Sequence, residues 1–179
     1  MHISRSTTIN APIDVVWAKL FDDFVNVHHW MASIKGSSAM PGRVTVEGAP
    51  AVGRIAEIGA GAPGALMEEK ITAAQVSAYR FEFDTALTNM TGFNPIIGWP
   101  NQIKLEPVDG GTQVTWALQP KLKLLGKPMY FAIKKSLGNG FVRSLDEIKA
   151  YIETGQPHPR KAAAFEKEGM PADLATAAV

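Results

Sequence analysis

Ile3, Arg5, Thr7 and Ile9 alternate with polar neighbours, the two-residue period of a strand. Asn10 then stands as the cap of a short helix opening at Ala11 and Pro12, where proline's missing N–H costs nothing. Val16, Leu20, Phe24 and Val27 recur at near-helical spacing, but Asp22 and Asp23 interrupt them, so the pattern predicts two short helices rather than one. Strands are predicted over residues 33–39, 52–58, 66–72, 76–84, 102–107 and 113–119. Turn chemistry separates them: Pro41-Gly42, the glycine- and alanine-rich stretch 59–64, and the hairpin signal Asp109-Gly110-Gly111.

The strongest periodicity comes last. Over residues 129–153 the apolar residues Ile133, Leu137, Phe141, Leu145, Ile148 and Ile152 fall at steps of three or four. That draws one apolar stripe along a helix of about 25 residues, roughly 38 Å long. Pro128 marks its start and Gly155 its stop. Gly138 and Gly140 inside it cost about 1 kcal/mol each relative to alanine, which reads either as a bend or as room left for a cavity. Residues 156–179 are rich in alanine, proline and charge; 162–167 could form a helical turn, and the segment reads as a tail.

A chain of 179 residues predicts one domain, here 1–155, followed by that tail. Leucine, isoleucine, valine and phenylalanine make up about a quarter of the residues, enough for a core without staples. The absence of cysteine excludes a disulfide framework, thiolate metal sites and cysteine nucleophiles. A formal charge of +1 gives no nucleic-acid footprint, and the basic runs stop at Lys134-Lys135 and Arg160-Lys161. Polar residues from His2 to Thr8 break up any signal core, so a cytoplasmic location is expected. The uncharged run 85–103 matches a membrane span in length, but its asparagines, prolines and glycines exclude a spanning helix. Its first part, 85–100, reads as a long loop whose Phe93, Ile96, Ile97 and Trp99 suggest either a lid or a dimer contact.

Strand, two short helices, a run of antiparallel strands and one long C-terminal helix is an α+β order. Four stretches occur in that order: INAPIDVVW (9–17), Trp30, DGGTQVTW (109–116) and FVRSLDEIKAYIETG (141–155). In these the chain resembles the START-like, or SRPBCC, superfamily over residues 1–155. The resemblance implies a helix-grip fold: a curved antiparallel sheet of six to seven strands wrapped around one long C-terminal helix, with two short helices after the first strand. It implies an apolar cavity between sheet and helix for a lipid, sterol or polyketide-like ligand. The protein would then be a carrier or binding protein, or alternatively a polyketide cyclase/aromatase-like enzyme.

Strand parity assigns faces. Tyr79, Phe81 and Phe83 point inward, as do Val114, Trp116 and Leu118, then Ile103 and Leu105 with Asn101 and Trp99 before them, and Met67, Glu69 and Ile71. The helix adds Tyr130, Ile133, Lys134, Leu137, Phe141 and Ser144. From these the expected ligand-binding set is Met67, Tyr79, Phe81, Phe83, Trp99, Asn101, Trp116, Tyr130, Lys134, Leu137 and Phe141, although any of the aromatics is equally at home as plain core. Glu69 is the candidate catalytic residue. A carboxylate between Met67 and Ile71 must be paired, hydrogen-bonded or neutral, and it reads either as an ion pair with Lys134 or as a general acid or base. Parity puts no arginine inward between Leu66 and Leu118, a departure from an aromatase-like pocket that favours binding over catalysis. His28 and His29 would point about 100° apart on a helix, so no shared metal site is expected, and they read as a solvated face or a cavity-mouth donor. No metal and no cofactor are expected. The expected partner is a hydrophobic small molecule, with no nucleic acid and no transmembrane segment; transient membrane contact and the oligomeric state stay open.

Overall fold

The computed structural model describes residues 2–59, 64–92 and 94–169. The turn residues 60–63, Phe93 of the expected lid, and the end of the tail lie outside the described residues. The chain runs β1 (Ile3–Ile9), α1 (Ile13–Trp17), a π turn (Ala18–Asp22) and a 3-10 segment (Phe24–His29). It continues through β2 (Ile34–Ala39), β3 (Gly53–Ile58), β4 (Leu66–Gln75), β5 (Arg80–Thr88), β6 (Ile96–Val108), β7 (Gly111–Leu118) and β8 (Lys121–Leu122). A 3-10 segment (Leu124–Met129) leads into α2 (Tyr130–Thr154), and α3 (Pro159–Glu168) follows. The sheet is antiparallel in the order β1-β7-β6-β5-β4-β3-β2, with β8 appended to β6. It curls around α2, the α+β helix-grip architecture expected. The core gathers on the concave face, where Trp17, Phe21 and Phe24 pack against Phe81, and Phe24 against Phe83.

Several local expectations are corrected. Asn10 caps nothing by its side chain; α1 starts after Pro12, and the Asn10 N–H donates instead to Glu153 Oε1 at 2.7 Å. The fifth strand begins at Arg80, not at Val76. Val76–Ala78 form a 3-10 turn and Tyr79 takes a left-handed conformation (φ 47°), which reverses the chain between β4 and β5. Tyr79 therefore sits at the turn rather than within a strand. Its ring packs edge to face on Trp17, the centroids 5.5 Å apart, outside the cavity lining. Its hydroxyl donates to Asp14, a bond that holds its phenol above the ordinary tyrosine value. Residues 85–100 are mostly sheet: β5 continues to Thr88 and β6 starts at Ile96, pairing Thr85 with Trp99 and Ala86 with Gly98. Only 89–95 remain as connection. The stretch read as tail carries α3, opened by Pro159 in its first turn, with the His158 ring nitrogen accepting from Arg160 N at 3.1 Å.

Candidate functional site

Between the sheet and the middle of α2 lies a cavity of about 400 Å³. Met67, Trp99 and Trp116 rise from β4, β6 and β7, Leu137, Gly140 and Phe141 descend from α2, and Met31, Ala32 and Ser33 close one side before β2. Strand alternation puts Trp99 and Trp116 on the same face as Ile103 and Val114, and all four are buried. Trp116 meets Phe141 edge to face, the ring centroids 4.8 Å apart. The polar part of the lining is Ser136, Arg143, Ser144, Glu147 and Arg160.

The two α2 glycines serve different ends within an unbroken 25-residue helix. A Cβ at Gly138 would stand 2.9 Å from the Arg5 guanidinium of β1, so the missing side chain makes room for Arg5. A Cβ at Gly140 would meet nothing within 4 Å; this glycine faces the cavity and leaves it open.

Glu69 is 2% exposed, and its partner is not Lys134 but Arg54 of β3. Arg54 Nε donates to Glu69 Oε2 at 2.5 Å, and another guanidinium nitrogen donates to the Phe24 carbonyl at 2.6 Å. The guanidinium also lies 4.0 Å from the Phe24 ring centroid. The pairing needs β3 very close to β4. A Cβ at Gly53 would come within 2.0 Å of the Glu69 carbonyl, and the register sets Gly53 against Lys70 and Arg54 against Glu69. Burial pulls the Arg54 guanidinium below its ordinary value, and the Glu69 charge pushes it back up. The other carboxylate oxygen accepts from Thr85 Oγ1 at 3.0 Å. Asn101 Nδ2 donates to Thr85 Oγ1 at 2.8 Å, and Trp116 Nε1 donates to Asn101 Oδ1 at 3.1 Å. A buried polar chain thus crosses five neighbouring strands, β3 to β7, and its donors converge on Glu69 of β4. With both oxygens occupied, Glu69 is held as a fixed acceptor.

Of the residues expected to meet a ligand, Met67, Trp99, Trp116, Leu137 and Phe141 border the cavity, and so does Glu69, the candidate catalytic residue. Phe81 and Phe83 are fully buried in the aromatic core beside Trp17, Phe21 and Phe24, packing as ordinary core does. Asn101 is buried inside the sheet as the amide link of the polar chain. Tyr130 and Lys134 lie outside the cavity lining: Tyr130 meets Phe131 at 5.3 Å, and Lys134 is exposed at the start of α2. His28 is buried rather than solvated, bonded through Nδ1 to the Ser37 hydroxyl at 2.6 Å, and Ser37 donates onward to the Val25 carbonyl. Among the described residues no cluster of three or more histidines or carboxylates could hold a metal ion.

Sequence reasoning overlooked Arg54, Glu147 and Arg160. Arg54 sits in a predicted strand with Ala56 and Ile58 on its face, and extending the parity argument to that strand would have turned it inward. Glu147 is 3% exposed on α2; one oxygen accepts from Ala32 N at 2.9 Å and the other from Arg160 Nε at 2.9 Å. Its signal was equally readable, because Glu147 falls three residues after Ser144 on the inward face of the helix. Lys161, one residue after Arg160, is buried, with its ammonium donating to the Ile34 carbonyl at 2.5 Å and lying 4.3 Å from the Phe165 ring centroid. The His158-Pro159 pair was the available signal for α3.

A family model described as polyketide cyclase / dehydrase and lipid transport matches residues 1–153. Among solved structures, the Zhui aromatase/cyclase from Streptomyces sp. R1128 has a TM-score of 0.65 at 9% identity, covering 88% of this chain and 99% of that one. XoxI from Bacillus cereus gives 0.64 at 14% identity, over 88% and 99% of the two chains. A START superfamily protein from Mycobacterium smegmatis gives 0.63 at 12%, over 87% and 99%. At such identities these likenesses carry the fold and nothing finer. No curated protein matches the chain in sequence. The helix-grip sheet, the long closing helix and the family match over residues 1–153 place this chain in the polyketide cyclase/dehydrase and lipid transport family.

Proposed function

We propose that the protein binds a hydrophobic small molecule, a lipid, sterol or polyketide-like compound, between its sheet and α2, and acts as a carrier or binding protein. The observation that carries this reading is the cavity of about 400 Å³ walled by Met31, Met67, Trp99, Trp116, Leu137 and Phe141. Its volume falls in the range of small-molecule sites, and apolar walls with a few polar groups among them suit such a ligand. The alternative, acid/base catalysis of a cyclase kind, would need a free general acid or base, and Glu69 is the candidate for it. Glu69 already accepts from Arg54 and Thr85, which supports binding over catalysis. A cytoplasmic location belongs to the same reading; no helix among the described residues is long and apolar enough to cross a membrane.

Native mass spectrometry of the purified protein, with organic extraction and identification of what co-purifies, tests the proposal. The matched variant is Gly140→Leu, which builds a side chain into the open cavity at a position where a Cβ meets nothing. The expected result is a bound hydrophobic compound on the wild type and its loss in Gly140→Leu, with the fold intact. Equal ligand loading of the two proteins, or no uptake of lipids, sterols or polyketides by the delipidated wild type, would overturn it.

A further inference from the structure

The segment leading into α2 carries large apolar side chains in water. Leu124 is 74% exposed, Met129 46% and Phe131 82%, all within eight residues spanning the 3-10 segment and the first turn of α2. Isolated apolar side chains on a surface are ordinary, but three this exposed in one short segment are not. The charge along this stretch of chain is one-sided. No acidic residue occurs between Asp109 and Asp146, whereas Lys121, Lys123, Lys127, Lys134, Lys135 and Arg143 all fall in that interval. This asymmetry stands out in a chain whose net charge is +1. Lys121 shares a surface groove with Lys70, Glu68 and Asp84, so the net positive charge rests on the exposed Lys123, Lys134 and Lys135.

We infer that this tip is a docking surface for an anionic lipid bilayer, Leu124, Met129 and Phe131 entering the interface while the lysines meet the headgroups. Exposed leucine, methionine and phenylalanine gain by leaving water for the acyl boundary, and lysines beside them gain from the negative surface potential; neither term alone holds a protein at a membrane. A nucleic acid would use the lysines but leave Leu124 and Phe131 without a role. From the tip, α2 runs on directly into the cavity wall at Ser136 and Leu137. The docking surface stands whether or not the cavity holds a lipid, because it rests on surface exposure and charge alone.

Co-sedimentation of the full chain with vesicles tests it, using phosphatidylcholine alone and phosphatidylcholine with one third phosphatidylglycerol. The wild type should pellet with the anionic vesicles at low salt, less at high salt, and little with the neutral ones. Lys134→Glu/Lys135→Glu should lower partitioning by roughly thirty-fold or more, about five-fold for each lysine charge lost near the surface. Leu124→Ala/Phe131→Ala should weaken binding to the same vesicles while leaving the thermal transition in place, since both side chains are exposed. No pelleting of the wild type at low salt, or equal pelleting of wild type and both variants, would overturn the inference. Retention on duplex DNA without vesicle binding would overturn it too, as would a dimer that Leu124→Ala/Phe131→Ala converts to monomer without any effect of lipid.

Discussion

Glu69 and Arg54 show how a single buried carboxylate organises its surroundings. A carboxylate 2% exposed is tolerated because Arg54 and Thr85 donate to it, and because Asn101 and Trp116 extend that chain across the sheet. Glu69→Gln removes the charge but keeps the shape, leaving the Arg54 guanidinium buried without its counterion. The expected loss is about 3–5 kcal/mol, read from urea denaturation as a lower midpoint at unchanged slope. Arg54→Met/Glu69→Gln should recover much of that loss, since no charge then stays buried alone. The α2 glycines make a second contrast. Gly140→Ala should stabilise by up to about 1 kcal/mol, because helix propensity improves and nothing obstructs the new methyl group. Gly138→Ala should gain less, because its methyl group must displace the Arg5 guanidinium; paired thermal melts of the two variants check the difference. The burial of Glu69 was legible from alternation with Met67 and Ile71. Its partner was not, because Arg54 and Lys134 are both cations at long sequence separation, and only the β3–β4 register selects between them.

At the scale of elements, α3 lies beyond residues 1–153, where the family match ends, yet it contributes Arg160 to the cavity lining. Arg160 neutralises Glu147, and Lys161 reaches under β2 to the Ile34 carbonyl. Arg160→Met leaves Glu147 buried with the Ala32 N–H as its remaining partner among the described residues. The expected destabilisation is about 1–2 kcal/mol, smaller than for the Arg54 pair because the Arg160 side chain is 38% exposed. Arg160→Met/Glu147→Gln should restore most of it, which a double-mutant cycle measures. The long helix was legible element by element, its apolar stripe and its Pro128 and Gly155 boundaries matching α2 closely. The extent of β5 and β6 was not. Thr85 and Asn101 look like loop residues along the chain, but each satisfies the other inside the sheet, and a polar residue with a buried partner carries no turn signal.

For the whole molecule, the curled sheet is closed by contacts between residues far apart in the chain. Glu153 at the end of α2 accepts from the Asn10 N–H just after β1 and pairs with Lys149 at 3.0 Å, while Lys149 also donates to the Thr8 carbonyl. The Asn10 N–H, with Lys149 adding to it, holds the Glu153 carboxyl below its ordinary value near 4.5. A carboxyl depressed in the folded state stabilises the fold above its unfolded pKa, and that contribution is lost as pH falls through the folded value. Glu153→Gln should therefore lower stability near neutrality and flatten the acid limb below about pH 4.5, which melting temperatures measured from pH 7 to pH 3 check. The sequence by itself determined the order of elements, the stripe of α2, the hairpin at Asp109-Gly110-Gly111 and the inward face of most strands, since each depends on the period of the chain and on turn chemistry within a few residues. Only the tertiary structure decided which inward residues fill the core and which border the cavity. Phe81 and Phe83 became core because Trp17, Phe21 and Phe24 pack onto them, whereas Trp99 and Trp116 meet α2 where Gly140 offers no side chain to fill the gap. That division depends on the volumes of residues brought together from opposite ends of the chain, a quantity no local periodicity contains.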